Sequence, residues 1–296
     1  MAIAKKYYAN RPAHSITILN FVFFFLLCFV TLYPVWSTFV GSVMPMSEYA
    51  SSPIKVWPQT WEFGAYKSLL TEKDILTPLY NSVFITVIGT ALSLLVMSLG
   101  AYALSRKYFY GRQIIMTIVL ITMLFSGGLI PTFICLRTLG LTNTLWACIL
   151  LPLVSSYYLI IMRSFFIGLP DSLEESARID GANDFTVFFR IILPVSMPIV
   201  ATMILFIAVD RWNDVQTNLM YVMKSDKQTL QVMIYKMLNN LDSATGGNNQ
   251  MAFAGDTTPQ TQRMAAITIT TIPILLVYPF LQKHFVKGVM IGSIKG

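Results

Sequence analysis

Charge is scarce in this sequence: 12% of its 296 residues are Asp, Glu, Lys or Arg, against 55% hydrophobic ones, which excludes an ordinary soluble domain. Catalytic groups are as few. Only two histidines occur, His14 and His284, both at the edges of apolar runs, and there is no glycine-rich loop ending in Gly-Lys-Ser/Thr, no HExxH and no GxSxG. The residue patterns for nucleotide hydrolysis, metalloprotease or serine-hydrolase chemistry are therefore missing. Cys28, Cys135 and Cys148 are odd in number, lie in apolar runs without metal-ligand spacing, and read as small core residues. Acids are missing from the centres of the apolar runs, where proton- and sodium-coupled transporters keep them, and no internal repeat or low-complexity tract appears.

What is present is apolar length. Six stretches reach the roughly 20 residues that a bilayer crossing needs, near 16–40, 80–104, 113–135, 144–167, 195–213 and 264–286. The first follows Lys5, Lys6 and Arg11, is too long for a signal-peptide core and lacks a small-x-small cleavage site, so it is expected to stay as an anchor. The fold class is an all-α membrane protein with six transmembrane helices. Its expected parts are a cytoplasmic N-terminus (1–15), a first span and external loop (16–80), a core of five spans (81–286) and a C-terminal tail (287–296).

Charge sets the expected topology. With a cytoplasmic N-terminus, the inner segments hold 12 of the 21 Lys and Arg and 5 of the 14 acids, and the outer segments hold 9 of each. The whole net charge of +7 then lies on the inner side, as the positive-inside rule requires, and the basic balance needs no nucleic acid to explain it.

One stretch breaks the scarcity of charge. Pro170 to Pro194, PDSLEESARIDGANDFTVFFRIILP, carries Asp171, Glu174, Glu175, Arg178, Asp180, Asp184 and Arg190, and falls on the inner side. Asp171 is placed to cap a helix, with Glu174 at the capping-box position. Gly181 is placed to close that helix in the left-handed region, Asn183 or Asp184 to cap a second, and Pro194 to lie beyond its end. Leu173, Ala177 and Ser176 form an apolar or small face, leaving Glu174, Glu175 and Arg178 for solvent or a partner. So short a helix must dock on something. The alternative is a solvated connection between two spans.

Three further features bear on transport. FSGGLIPTF at 125–133 puts Gly127, Gly128 and Pro131 inside an apolar run, which implies a break that faces protein or a wet cavity, or a kink for packing alone. Gly89, Ala91, Ser93, Ser98, Gly100, Ala101 and Ala103 permit close helix packing. Asp210, Arg211, Trp212 and Asn213 end the fifth span, where an aromatic face beside polar groups suits a sugar ring; an interfacial Trp with a helix cap is the alternative.

The order Glu175-Ser176-Ala177, three residues, Gly181, then Ile-Leu-Pro194 resembles the "EAA" loop of permease subunits in binding-protein-dependent ABC importers, with Ser176 a small-for-small departure. GAYALSR, Gly111-Arg112, the phrase FSGGLIPTFICLRTLGLTNT and the C-terminal KGVMIGSIKG resemble the branch that handles complex and uronate-containing oligosaccharides, similar to the smaller maltose-permease subunit. The resemblance implies that the 168–194 loop couples to an ATPase through Leu173, Glu174, Glu175, Ser176, Ala177, Arg178, Asp180 and Gly181. It also implies a second homologous permease, two ATPase subunits carrying ATP and Mg, an external solute-binding protein and an oligosaccharide substrate such as an alginate or other uronate fragment. This chain itself needs no cofactor or metal. A stand-alone secondary transporter or channel is the alternative reading.

The segment Asp214 to Gln262 is longer than a turn needs. Its first part, with Leu230, Met233, Ile234, Met237 and Leu238, has helical spacing; its second part is rich in Gly, Asn, Thr and Ser and is expected to be a flexible tongue. The resemblance implies that Thr245, Gly246, Gly247, Asn248 and Asn249 enter the cleft of the binding protein.

Overall fold

The computed structural model describes residues 14–51, 54, 56–72, 75–245, 258 and 260–276, and every regular element among them is helical. The chain divides into two compact units, one of residues 1–72 and 247–269, the other of 73–246 and 270–296.

The first unit holds α1 (His14–Ser42), α2 (Met46–Ser51), α3 (Gly64–Glu72) and the first part of a helix over 260–276. α1 is a continuous apolar helix long enough to cross a bilayer, and no residue of its spanning window is buried. Only its end is packed, where Val40, Val43 and Met44 are buried with Ala65, Leu69 and Ala265. The contact is close because Gly41 has no side chain: a Cβ there would lie 2.5 Å from the Met264 sulfur and 2.8 Å from the Tyr49 ring. From the end of α1 onward, aromatic residues form a ladder, Trp36 on Trp57, Trp57 on Trp61 and Trp61 on Phe63. The Glu48 carboxylate braces it by accepting from the Gln59 and Thr60 amides.

The second unit is built on α4 (Leu76–Ser105), the other unbroken span among the described residues. Its small-residue face is the packed one: Gly89, Ser93, Ser98 and Ala101 are buried, whereas Ala91 is exposed. The later elements are α5 (Arg112–Leu124), α6 (Leu129–Thr138), α7 (Leu145–Leu150), α8 (Ser156–Ile167), α9 (Ser172–Ile179), α10 (Asp184–Val187), α11 (Met197–Asn213), α12 (Gln216–Tyr221) and α13 (Leu230–Thr245). One core joins α4, α8, α9, α10 and α11 through Met97, Tyr102, Met162, Phe166, Ala177, Val187, Phe188 and Met203.

Two of the expected spans, the third and the fourth, are not single helices, and the fifth is a single helix with a bend before it. The third bends by 116° between α5 and α6, at the Gly127-Gly128 break that the sequence implies, with Gly128 at φ +84°. The fourth is interrupted between α7 and α8 at residues 151–155, around Pro152. The fifth begins with Pro198 in its first turn and is bent by 82° from the helical run before it. In each, proline or glycine frees backbone groups that the surrounding protein must satisfy. Of the sixth span, 264–276 is helical and 277–286 lies outside the described residues.

Cys148 is buried, as expected, but Cys28 and Cys135 are exposed. A membrane helix is as apolar on its outer face as in its core, so apolar surroundings alone do not place a residue inside.

Candidate functional sites in the loop and the cleft

The charge-dense loop is a helix, a glycine turn and a second helix. Gly181 takes φ +79°, and Asn183 caps α10 by accepting the Thr186 amide at 2.8 Å. Two local expectations fail. Asp171 makes no side-chain cap, and Glu174 does not turn back to the backbone. Glu174 points inward instead, 5% exposed, and its carboxylate meets the Arg106 guanidinium at 2.8 Å. A buried guanidinium at the end of α4 is a stronger partner for a carboxylate than a peptide N–H open to water. The second failure is Pro194. It does not stop the second helix: a wide π turn over Phe188–Ile192 follows α10, Leu193 donates back five residues to Phe188, and Pro194 sits within the next turn.

The pair with Arg106 fastens the loop to the membrane helices. Arg106 is itself 5% exposed, donates to the Phe166 carbonyl at 3.2 Å and lies 4.9 Å over the Tyr102 ring. Burial raises the Glu174 carboxyl above the ordinary glutamate value, and the Arg106 charge opposes that rise. A second, more exposed clasp joins Arg178 to Asp184 across the glycine turn, with the Tyr108 hydroxyl accepting from Arg178 at 2.7 Å. Ala177 is buried in the core and Leu173 is half-buried, which is the expected docking face, while Ser176 is exposed and bonds the Ser172 carbonyl.

The outward face therefore differs from the expected one. Glu175, Ser176 and Asp180 are exposed, but Glu174 is not, and Arg178 is engaged within the loop. Two apolar residues missed in the sequence join that face: Ile179 is 86% exposed and Phe185 69%. Ile179 carried a signal in the sequence, an apolar side chain on the charged side of an otherwise amphipathic helix.

The second site is a cleft of about 430 Å³ lined by Met97, Pro152, Ser155, Tyr158, Ile207, Asp210, Arg211, Asn213 and Asp214. Asp210 and Asn213 are thus brought together as expected. Trp212 is not: it is 7% exposed, donates its indole N–H to the Thr270 carbonyl at 3.2 Å and lines a separate apolar pocket with Val83 and Pro273. Successive residues of a helix project about 100° apart, so Trp212 and its neighbours cannot share one face. Gly127, Gly128 and Pro131 lie at the α5–α6 bend and do not line this cleft.

Arg211, grouped by the sequence with the polar residues beside Trp212, has a structural role instead. It is 6% exposed and donates to the carbonyls of Cys148, Ile149 and Pro152 at 2.7, 3.0 and 2.9 Å and to the Ser93 hydroxyl at 2.6 Å. Those carbonyls are the groups freed at the break between α7 and α8, so one guanidinium holds the break together. Gly89 makes room for it, since a Cβ there would stand 3.1 Å from the guanidinium carbon.

The segment that begins at Asp214 is folded through α13, as its spacing implied. Asn81 donates to the carbonyls of Asp226 and Gln228, and Ser82 accepts the Leu230 amide, which ties the segment to the start of α4. Thr245 is the last residue of α13; Gly246, Gly247, Asn248 and Asn249 lie outside the described residues.

Two unbroken apolar helices long enough to cross a bilayer and two bent helix pairs among the described residues, joined to a docked polar loop, define a multi-spanning membrane protein. Residues 97–291 match the family described as binding-protein-dependent transport system inner membrane component, and the chain belongs to that family. It is 43% identical to the polygalacturonan/rhamnogalacturonan transport system permease protein YtcP of Bacillus subtilis (strain 168), over 93% of this chain and 97% of that one. It is 28% identical to the arabinooligosaccharides transport system permease protein AraQ of Halalkalibacterium halodurans, over 92% and 94% of the two chains. Among solved structures, a chain of a bacterial ABC transporter involved in the import of the acidic polysaccharide alginate superposes with a TM-score of 0.82 at 29% identity, covering 93% of this chain and 98% of that one.

Proposed function

We propose that this chain is one permease half of an ATP-driven oligosaccharide importer of the cell membrane. The observation that carries the reading is the 170–194 loop. Its inner face is fixed to α4 through Arg106 and Glu174, and its outer face presents Glu175, Ile179 and Phe185 with no partner among the described residues. A helix rigidly joined to the spans on one side and open on the other is suited to carry motion from a soluble motor into the membrane.

The partners follow from that role and from the family. A second homologous permease completes the pathway, two ATPase subunits bind ATP and Mg, and a solute-binding protein delivers the substrate from outside. Both termini lie in the cytoplasm, on the net charge of the connections. Thr245 to Asn249 reach the binding protein and help displace its sugar. The relatives' polygalacturonan and alginate support a uronate-containing oligosaccharide as the substrate class.

The test is to express the chain with its genomic neighbours and purify it by a tag. Co-purification of a second permease and an ATPase, with hydrolysis stimulated by a sugar-loaded binding protein, is expected. A chain that transports alone would establish a stand-alone carrier instead.

A further inference from the structure

We propose that Asp210, held by Tyr158, is a charge filter on this subunit's wall of the cleft: it accepts saccharide hydroxyls and turns uronate carboxylates away. The inference rests on the importer reading above.

The cleft appears at first to offer both signs of charge, since Asp210, Arg211 and Asp214 all line it. Arg211 is not on offer. It is 6% exposed, and its two terminal nitrogens are committed to three backbone carbonyls and the Ser93 hydroxyl. A uronate carboxylate that recruited Arg211 would strip those carbonyls of their donor at a helix break, a loss comparable to leaving buried polar groups unpaired. Asp214 is partly engaged by the Thr217 amide, which its carboxylate accepts at 3.0 Å.

Asp210 remains. It is exposed, and one carboxylate oxygen accepts the Tyr158 hydroxyl at 2.6 Å, which orients the group and leaves its other oxygen and lone pairs open to the cleft. Tyr158 is itself held by stacking on Phe206. An ionised carboxylate near the end of a membrane helix is tolerated where it faces a wet cavity, so the cleft and not lipid is its environment. The side chains that complete the wall, Ser155 and Asn213, are neutral hydrogen-bonding groups, and Met97, Ile207 and Pro152 are apolar. Such a surface matches the hydroxyls and C–H faces of a pyranose. Among the described residues it offers no free cation to a carboxylate, and even with Arg211 counted its acids outnumber its bases two to one. An acidic oligosaccharide passing this wall must therefore present its hydroxyl edge here and its carboxylates to the other side of the pathway.

The experiment uses the assembled importer in proteoliposomes and two probes of equal length that differ at the carboxyl groups, a charged oligogalacturonate and its neutral methyl ester. Asp210→Asn should raise the uptake ratio of free acid to ester by about 3-fold to 10-fold, the scale of one partly screened like-charge contact. Asp210→Glu, which keeps the charge, should hold the wild-type ratio. Raising the salt concentration with unaltered protein should move the ratio toward the free acid, a measurement that needs no variant to assemble. A ratio unmoved by both Asp210→Asn and salt would overturn the filter while leaving the importer reading intact. Uptake of neither probe by the unaltered assembly, with ATP hydrolysis intact, would overturn the uronate reading and the filter with it.

Discussion

Arg106 and Glu174 meet at 2.8 Å with about 5% of each residue exposed, so the last residue of the GAYALSR phrase and the first acid of the loop helix form a buried ion pair. The pair joins the end of α4 to α9 and places the loop's motion in register with a membrane span. Removing one partner leaves the other charge buried. Glu174→Ala should cost about 3 to 5 kcal/mol. The joint replacement Arg106→Met with Glu174→Leu should recover much of that loss, because an apolar pair of similar volume carries no desolvation penalty. Denaturation of the detergent-solubilised chain would measure both; a double variant no more stable than Glu174→Ala would contradict the pairing.

Gly181 supplies a purely conformational test. Its φ is +79° and a Cβ would meet nothing within 4 Å, so only backbone strain separates substitutions there. Gly181→Val should cost about 1 to 2 kcal/mol, and Gly181→Asn clearly less, since Asn tolerates the left-handed region. Equal losses of ATPase association in the two variants would point to a contact instead.

Much of this loop was legible because its signals are local. A glycine placed to close one helix and an asparagine to cap the next act within four residues of themselves. The orientation of Glu174 was not legible, since it depends on Arg106, brought beside it only by the packing of α4. The same holds for Arg211. Its acceptors are main-chain carbonyls about sixty residues upstream, and no side-chain pattern announces a carbonyl. The apolar runs located the spans, but hydropathy averages over a window and passes through the bends at Gly127-Gly128 and Pro152.

Arg211 and Gly89 form a third test. Gly89→Ala places a methyl group 3.1 Å from the guanidinium and should destabilise by about 1 to 3 kcal/mol, the usual cost of overpacking. Thermal unfolding should show the loss. An unchanged unfolding profile would mean that Arg211 yields without consequence.

Trp212 faces away from the cleft and is buried in the wall of an apolar pocket, so its replacement is a stability change. Trp212→Ala should cost about 3 to 5 kcal/mol and reduce the amount of folded complex. Transport per folded complex should stay near the wild-type value; a selective loss of transport would return Trp212 to the pathway.

The most direct measurement is photo-cross-linking in the assembled importer, with a photoreactive side chain replacing Ile179, 86% exposed on the loop, and a second replacing Ile134, 55% exposed on α6. Coupling through the loop predicts an adduct with the ATPase from position 179 and none from position 134. An assembly that hydrolyses ATP and takes up sugar yet gives no ATPase adduct at 179 would contradict it.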